Sequence, residues 1–325
     1  MIRKALKITA AVLGGLVLIL LAWKFTADFR YFSSYDPKAP FNVQVTETVD
    51  QGEYQRVKLS FDGQPGEPVP TFMTFPKNMK GKVPCVIFLH GIGQNKKFLD
   101  EITTPFNQAG FAMASFDQYM QGERKIPRDK WLKAAVAFRQ RPWKTINETR
   151  RLIDYLQTHP DIDGQRIYLV GASYGAITGS TVAAFDHRLR AAVLVYGGGD
   201  IGKLLDAPLI QNGFKENAPA WLFAPAKAVA NFILWPADPI RYVDGIAPTP
   251  VLFQNGRNDQ LVAAPAAEAL QNAAREPKKI TWYDSDHIGL DKEVVLKVLE
   301  EDLNWLLEQD KPFRKDPPAE IKPAA

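Results

Sequence analysis

A chain of 325 residues that is 46% hydrophobic and 11% aromatic carries enough apolar material for a full globular core, which excludes general disorder. Its net charge of +4 is concentrated at the ends: residues 1–34 contribute +4 and the last fifteen +2, leaving about −2 for the body, so no basic face for nucleic acid is expected. The single cysteine, Cys85, excludes an intramolecular disulfide and, inside the apolar run Val83 to Leu89, reads as a buried, inert thiol.

The first element is an uncharged stretch, Ile8 to Trp23, with Arg3, Lys4 and Lys7 before it and Lys24, Asp28 and Arg30 after it. It is slightly shorter than a bilayer core requires, but Lys7 and Lys24 can snorkel, and Phe25 to Tyr31 adds interfacial aromatics. Residues 1–34 are therefore expected to form a membrane anchor. The basic flank sets the N-terminus in the cytoplasm and the body outside it, in the periplasm if the cell is bacterial. A cleaved signal segment is the alternative, although no small-x-small site follows Leu21-Ala22-Trp23-Lys24.

Three alternating runs come next, Asn42 to Val49, Tyr54 to Phe61 and Val69 to Phe75, separated by turn-forming clusters at 50–52 and 62–66. They predict antiparallel strands. From there, short runs apolar on both faces alternate with helical stretches. The runs are Pro84 to Leu89, Ala112 to Phe116, Arg166 to Val170, Ala191 to Tyr196, Pro250 to Gln254 and Ile280 to Tyr283, and they predict a parallel sheet covered by helices. Helices are expected at Trp143 to Thr158, Ala176 to Ala184, Ala263 to Arg275 and Lys292 to Glu308. The stretch from Gly197 to about Pro250 breaks the alternation. Its Phe214, Trp221, Phe223, Phe232 and Trp235 among several prolines read as a helical cap whose aromatics shape an apolar pocket. The main domain is placed at 35–310, with a proline-rich, disordered tail at 311–325.

Gly171-Ala172-Ser173-Tyr174-Gly175 lies between an apolar run and a helix-compatible one, which is a strand, a sharp turn and a helix with serine at the apex. The glycines let strand and helix pass each other at a strained serine. A serine hydroxyl needs a base, a group to orient that base, and donors for an oxyanion. Of the four histidines, His159 and His187 sit in surface-like settings and His90 ends a strand, leaving His287 as the base. Asp259 follows the strand Pro250 to Gln254, at the carboxyl end where sites gather, with Asp284 and Asp286 as rival carboxylates. The order Ser173, Asp259, His287 is that of one known triad architecture. The loop His90-Gly91-Ile92-Gly93 follows the first buried parallel strand, and the amides of Ile92 and Tyr174 are the expected oxyanion donors.

These motifs, with Asp117 to Arg124, Asp238-Pro239 before Ile246 to Pro250, and Asn255-Gly256 before Asp259, make residues 42–309 resemble the α/β-hydrolase superfamily. The closer likeness is to its dienelactone-hydrolase-like, acyl-thioesterase and prolyl-oligopeptidase group. The resemblance implies an α/β-hydrolase fold without a cofactor. No metal-ligand spacing or dinucleotide-binding glycine motif is found in the sequence. A serine hydrolase of small-molecule carboxylic esters or thioesters is expected, with a peptidase or amidase, or a non-catalytic anchored binding domain, as alternatives.

Overall fold

The computed structural model describes residues 2–127, 129–289 and 291–314, without the side chains of residues 2–13, 16, 17, 131, 132 and 135. Contacts divide the chain into two units, Met1–Tyr35 and Asp36–Ala325. The first holds helix α1 (Ile2–Phe29), along which Leu18, Ile19, Leu20, Trp23, Phe25 and Phe29 are exposed and Lys24 pairs with Asp28 one turn on. The expected span Ile8 to Trp23 falls in part on side chains outside the described residues. Among the described residues, no helix is long and apolar enough to cross a membrane.

The second unit is built on a twisted sheet that has nine strands among the described residues. Strands β1 (Gln44–Asp50), β2 (Tyr54–Gln64) and β3 (Glu67–Pro76) form an antiparallel meander. Then come β4 (Val83–Leu89), α2 (Leu99–Gln108), β5 (Ala112–Phe116), α3 (Trp131–Thr158), β6 (Ile162–Ala172), α4 (Tyr174–Phe185) and β7 (Leu189–Val195). The cap contributes α5 (Ile201–Leu205), α6 (Pro208–Asn217) and α7 (Phe223–Leu234), linked by short 3-10 turns. The chain returns to the sheet with β8 (Val251–Gly256), α8 (Ala264–Ala273), β9 (Lys278–Tyr283) and α9 (Lys292–Asp310).

The strand order is β1-β2-β3-β5-β4-β6-β7-β8-β9, and from β5 to β9 every pairing is parallel. The meander joins through β3 and β5, which run antiparallel with Thr71 opposite Phe116. Because β4 and β5 are buried along their whole length, each strand must be apolar on both faces, which is why the sequence reads there as unbroken hydrophobic runs. One face is covered by α2 and α9, whose Leu99, Ile102, Phe106, Val298, Leu303 and Leu306 pack on Val86, Phe88, Met113 and Val170. Each such buried side chain contributes roughly 1.5–3 kcal/mol. Helices α3 and α4 pack together, and both lie against β6.

Three sequence expectations change. Helix α3 starts at Trp131 rather than at 143 and stays helical through Pro142, where a missing N–H donor makes a boundary the natural reading. Helix α2 was not expected, because Thr103, Thr104 and Pro105 weaken its local preference; tertiary burial of Leu99, Ile102 and Phe106 overrides it. The chain also stays ordered beyond 310: a 3-10 turn spans Lys311–Phe313, and Arg314 bonds to Asp310 and to the Ala109 carbonyl. Residues 315–325 of the expected tail lie outside the described residues.

Candidate active site

Ser173 occupies the turn between β6 and α4 at φ 54° and ψ −117°, a strained conformation for a side-chain-bearing residue that costs of order 1–3 kcal/mol. Its neighbours explain why the turn can form. A Cβ at Gly171 would lie 2.3 Å from the Gly175 carbonyl oxygen, and one at Gly175 would lie 1.9 Å from the Leu89 carbonyl oxygen. Only glycine at both positions lets α4 cross the ends of β4 and β6, and that crossing sets Ser173 at the carboxyl edge of the sheet.

The other two predicted side chains come from the loops after β8 and β9. The Ser173 hydroxyl lies 2.9 Å from His287 Nε2, and His287 Nδ1–H donates to Asp259 Oδ2 at 2.7 Å. Asp259 Oδ1 in turn accepts from the Leu261 and Val262 amides, both at 2.8 Å, and the carboxylate is fully buried. A buried carboxylate with two backbone donors on one oxygen and a ring N–H on the other has both oxygens engaged, which holds it in place. The rivals do other work. Asp284 pairs with Arg257 at the surface, and Asp286 Oδ1 accepts the amides of Gln260 and His287. The two loops are further tied by Arg257 N–H to the Tyr283 carbonyl at 2.8 Å and Asn258 N–H to the Ser285 carbonyl at 3.0 Å.

The loop after β4 is held by carboxamides that sequence reasoning did not single out. Gln94 Oε1 accepts the Gly91 amide at 3.0 Å, Gln121 Oε1 accepts the Gly93 amide at 2.7 Å, and Gln118 Nε2 donates to the His90 carbonyl. The Ile92 amide, between the two engaged ones, has no acceptor among the described residues, nor does the Tyr174 amide at the first turn of α4, where a helix leaves its donors free. Both residues line the cavity with Ser173. Gln121 belongs to a segment anchored by Asp117, which is buried with Lys96: Asp117 Oδ2 accepts from Lys96 Nζ at 2.7 Å and from the Glu123 amide at 2.9 Å. His90 is structural in its contacts. It is fully buried between the Gly91 and Phe116 carbonyls, and burial pushes its pKa down. Among the other histidines, His159 stacks on Phe75 and His187 is exposed.

Tyr196, buried and at φ 52°, packs its ring perpendicular to His287 with centroids 5.9 Å apart and places its hydroxyl 2.5 Å from Ser285 Oγ. It thus packs beside the imidazole, which is itself held by Asp259. A long-range contact of this kind leaves no local sequence signal.

Ser173 and His287 open into a cavity of about 650 Å³ with mostly apolar walls, a size suited to a small organic ligand. From the cap, Ile201, Leu204, Leu205, Ile210 and Leu234 reach it. The expected cap aromatics are not among its described lining. Trp221 is 75% exposed, and Phe214 and Phe223 pack on each other at 5.3 Å, so the aromatic rings of the cavity come from Phe88, Phe98, Phe138 and Tyr174 instead. Among the described residues, no group of three or more His, Cys, Asp or Glu could hold a metal.

The profile of the dienelactone hydrolase family matches residues 69–288, more than half of the chain and all three side chains of the Ser173 site. The chain belongs to the dienelactone hydrolase family. It is a hydrolase on an α/β-hydrolase fold, as the sequence motifs implied. Among curated relatives it is 23% identical over 184 residues to the Bacillus subtilis protein YtaP, a match covering 51% of this chain and 60% of that one. It is 25% identical over 232 residues to the uncharacterized Salmonella typhi protein YfhR, covering 68% of each. Among solved structures, the fold resembles an acetyl xylan esterase from Paenibacillus sp. R4 with a TM-score of 0.66 at 19% identity, covering 84% of this chain and 93% of that one.

Proposed function

We propose that this dienelactone hydrolase family member is a serine esterase that cleaves carboxylic esters or thioesters of small molecules through an acyl-enzyme. The observation that carries the reading is the continuous line from Ser173 Oγ through His287 to Asp259, at 2.9 and 2.7 Å. Ser173 Oγ attacks the ester carbonyl as His287 Nε2 takes its proton. The Ile92 and Tyr174 amides receive the developing oxyanion, and collapse of the tetrahedral intermediate expels the alcohol or thiol, which leaves with the proton from His287. Water then enters, loses a proton to His287, and releases the acid as the Ser173 hydroxyl is restored. Asp259 fixes the tautomer and stabilises the imidazolium. Kinship in fold with an acetyl xylan esterase supports ester chemistry, and the apolar cavity supports an acyl or alcohol group of modest size.

The test is turnover of p-nitrophenyl acyl esters. Ser173→Ala should abolish it while unfolding stays within about 1 kcal/mol of wild type, because the hydroxyl touches little besides His287. Retained turnover would overturn the reading.

We also propose that α1 tethers the enzyme to a membrane, with the hydrolase unit outside the cytoplasm, on the strength of the uncharged stretch Ile8 to Trp23 and the exposed Leu18, Ile19, Leu20 and Trp23. Alkaline carbonate should leave the chain in the membrane pellet; release into the supernatant would refute the tether.

A further inference from the structure

A second apolar hollow adjoins the catalytic cavity. It runs between the first half of α3 and the cap helices α6 and α7, holds about 650 Å³, and is lined among the described residues by apolar side chains alone. Phe138 of α3 and Leu234 at the end of α7 line both spaces, so cavity and groove meet at that pair. Beside it the Arg139 guanidinium donates to the Ile233 carbonyl and ties α3 to α7. Phe214, which is not in the described lining of the cavity, lines the groove.

Helix α7 presents its faces the opposite way from an ordinary surface helix, which buries its apolar stripe and sends its charges to water. Its charged residue, Lys227, and its carboxamide, Asn231, lie one turn apart and face α5. A Cβ on Gly202 would lie 3.7 Å from Lys227 Cε and 3.6 Å from Asn231 Nδ2, and Lys227 pairs with Asp206 at 2.5 Å. Pro225, Ala226, Val229, Ala230 and Ile233 recur at helical spacing along the groove, yet no residue of α7 is buried and Val229 is 57% exposed. Such a stripe gains by giving up its water to another apolar body. Its described lining offers no side-chain donor or acceptor. A sugar, phosphate or peptide there would lose hydrogen bonds to water with nothing in return, whereas a hydrocarbon chain loses none.

Building on the esterase reading above, we propose that the groove holds the far end of a linear acyl chain, so that the preferred substrates are long-chain acyl esters. The carbonyl sits at Ser173, the first carbons fill the cavity, and the chain passes Phe138 and Leu234 onto α7. An acyl chain stays bonded to Ser173 Oγ until water arrives, so a groove that holds it acts in both acylation and deacylation.

The experiment measures kcat/KM for p-nitrophenyl butyrate, octanoate and laurate with the full-length chain, as wild type, Ala226→Trp and Trp221→Ala. Ala226 is an exposed position of the groove, so an indole there fills it without disturbing a packed core. Trp221 is 75% exposed on the cap and is in the described lining of neither space. For the wild type, kcat/KM should rise about two- to fourfold per methylene from octanoate to laurate, fourfold corresponding to the roughly 0.8 kcal/mol of a fully buried methylene. The laurate-to-octanoate ratio should fall at least about tenfold in Ala226→Trp and hold in Trp221→Ala. A ratio that survives Ala226→Trp would overturn the proposal. So would an equal fall in Trp221→Ala, which would mean that the outer cap face meets lipid aggregates and the groove takes no single chain. A second measurement needs no turnover: laurate carrying a diazirine at its far end is photolysed with the protein. Label should appear on α7, and plain laurate should compete where octanoate does not; α7 left unlabelled would overturn the proposal. If α7 is labelled while no ester is turned over, the esterase reading fails and the groove stands. If butyrate is turned over while the laurate-to-octanoate ratio ignores Ala226→Trp, the groove fails and the esterase reading stands.

Discussion

Adding one methyl group at Gly175 tests whether the serine turn depends on the close passage of α4 over β4. In Gly175→Ala the new Cβ would sit 1.9 Å from the Leu89 carbonyl oxygen, 2.5 Å from its carbon and 2.9 Å from its Cβ. Two of those atoms are backbone of a fully buried strand, so no rotamer change relieves them, and α4 must lift from the sheet by more than an ångström. Overpacking against mobile side chains costs about 1–3 kcal/mol, so a clash with a fixed strand should cost at least about 3 even after the helix propensity gained over glycine. For a unit of this size that loss lowers the melting temperature by roughly 6–12 °C. The displacement also moves the Tyr174 amide and Ser173 Oγ, so ester turnover should fall by more than the fraction unfolded. Gly213→Ala is the control: it lies within α6 with nothing within 4 Å of the added carbon, and should raise the melting temperature by a few degrees, about 1 kcal/mol. Differential scanning calorimetry of the full chain reads both. A Gly175→Ala melt within about 2 °C of wild type would refute the steric account.

Two further outcomes follow from the same geometry. Asp259→Asn can keep an oxygen toward the Leu261 and Val262 amides but turns an N–H toward His287 Nδ1, which enforces the wrong tautomer. Its kcat on p-nitrophenyl acetate should drop about 10³–10⁴-fold with the melt little changed, and a loss below tenfold would remove Asp259 from the proposed relay. Burial pushes Glu301 up, but Lys279, Tyr283, Gln254 and Thr281 more than offset it and hold the carboxylate at about 2. Since that lies below the unfolded value of about 4.3, the stability it contributes is complete above that value and is lost as pH falls toward 2. Glu301→Gln should therefore flatten the decline in melting temperature between about pH 5 and 3. Equal slopes for variant and wild type would remove Glu301 as the cause.

The sheet was legible in the sequence because strands buried on both faces leave unbroken apolar runs, as at Val83 to Leu89 and Ala112 to Phe116. The hairpins were legible from their turn residues. The elbow at Ser173 is written within five consecutive residues, and His287 stood out because only four histidines compete with one another. What could not be read is what acts at a distance. The carboxamides of Gln94 and Gln121 find amides of the same loop only after folding, and Tyr196 reaches Ser285 across 89 positions. Helix α2 and the first half of α3 escaped because local preference argues against them at Thr103, Pro105 and Pro142, and only packing reverses it. The cap aromatics misled for a related reason: composition announces apolar surface but not the direction it faces.

The stitching between the loops after β8 and β9 has a mechanical consequence. With Arg257, Asn258 and Gln260 all bonded across to residues 283–286, carboxylate and imidazole ride on one tied pair of loops, whereas the hydroxyl belongs to the separate turn between β6 and α4. Any strain that separates the two loops from the turn should therefore open the 2.9 Å gap between oxygen and ring before it breaks the 2.7 Å link behind it.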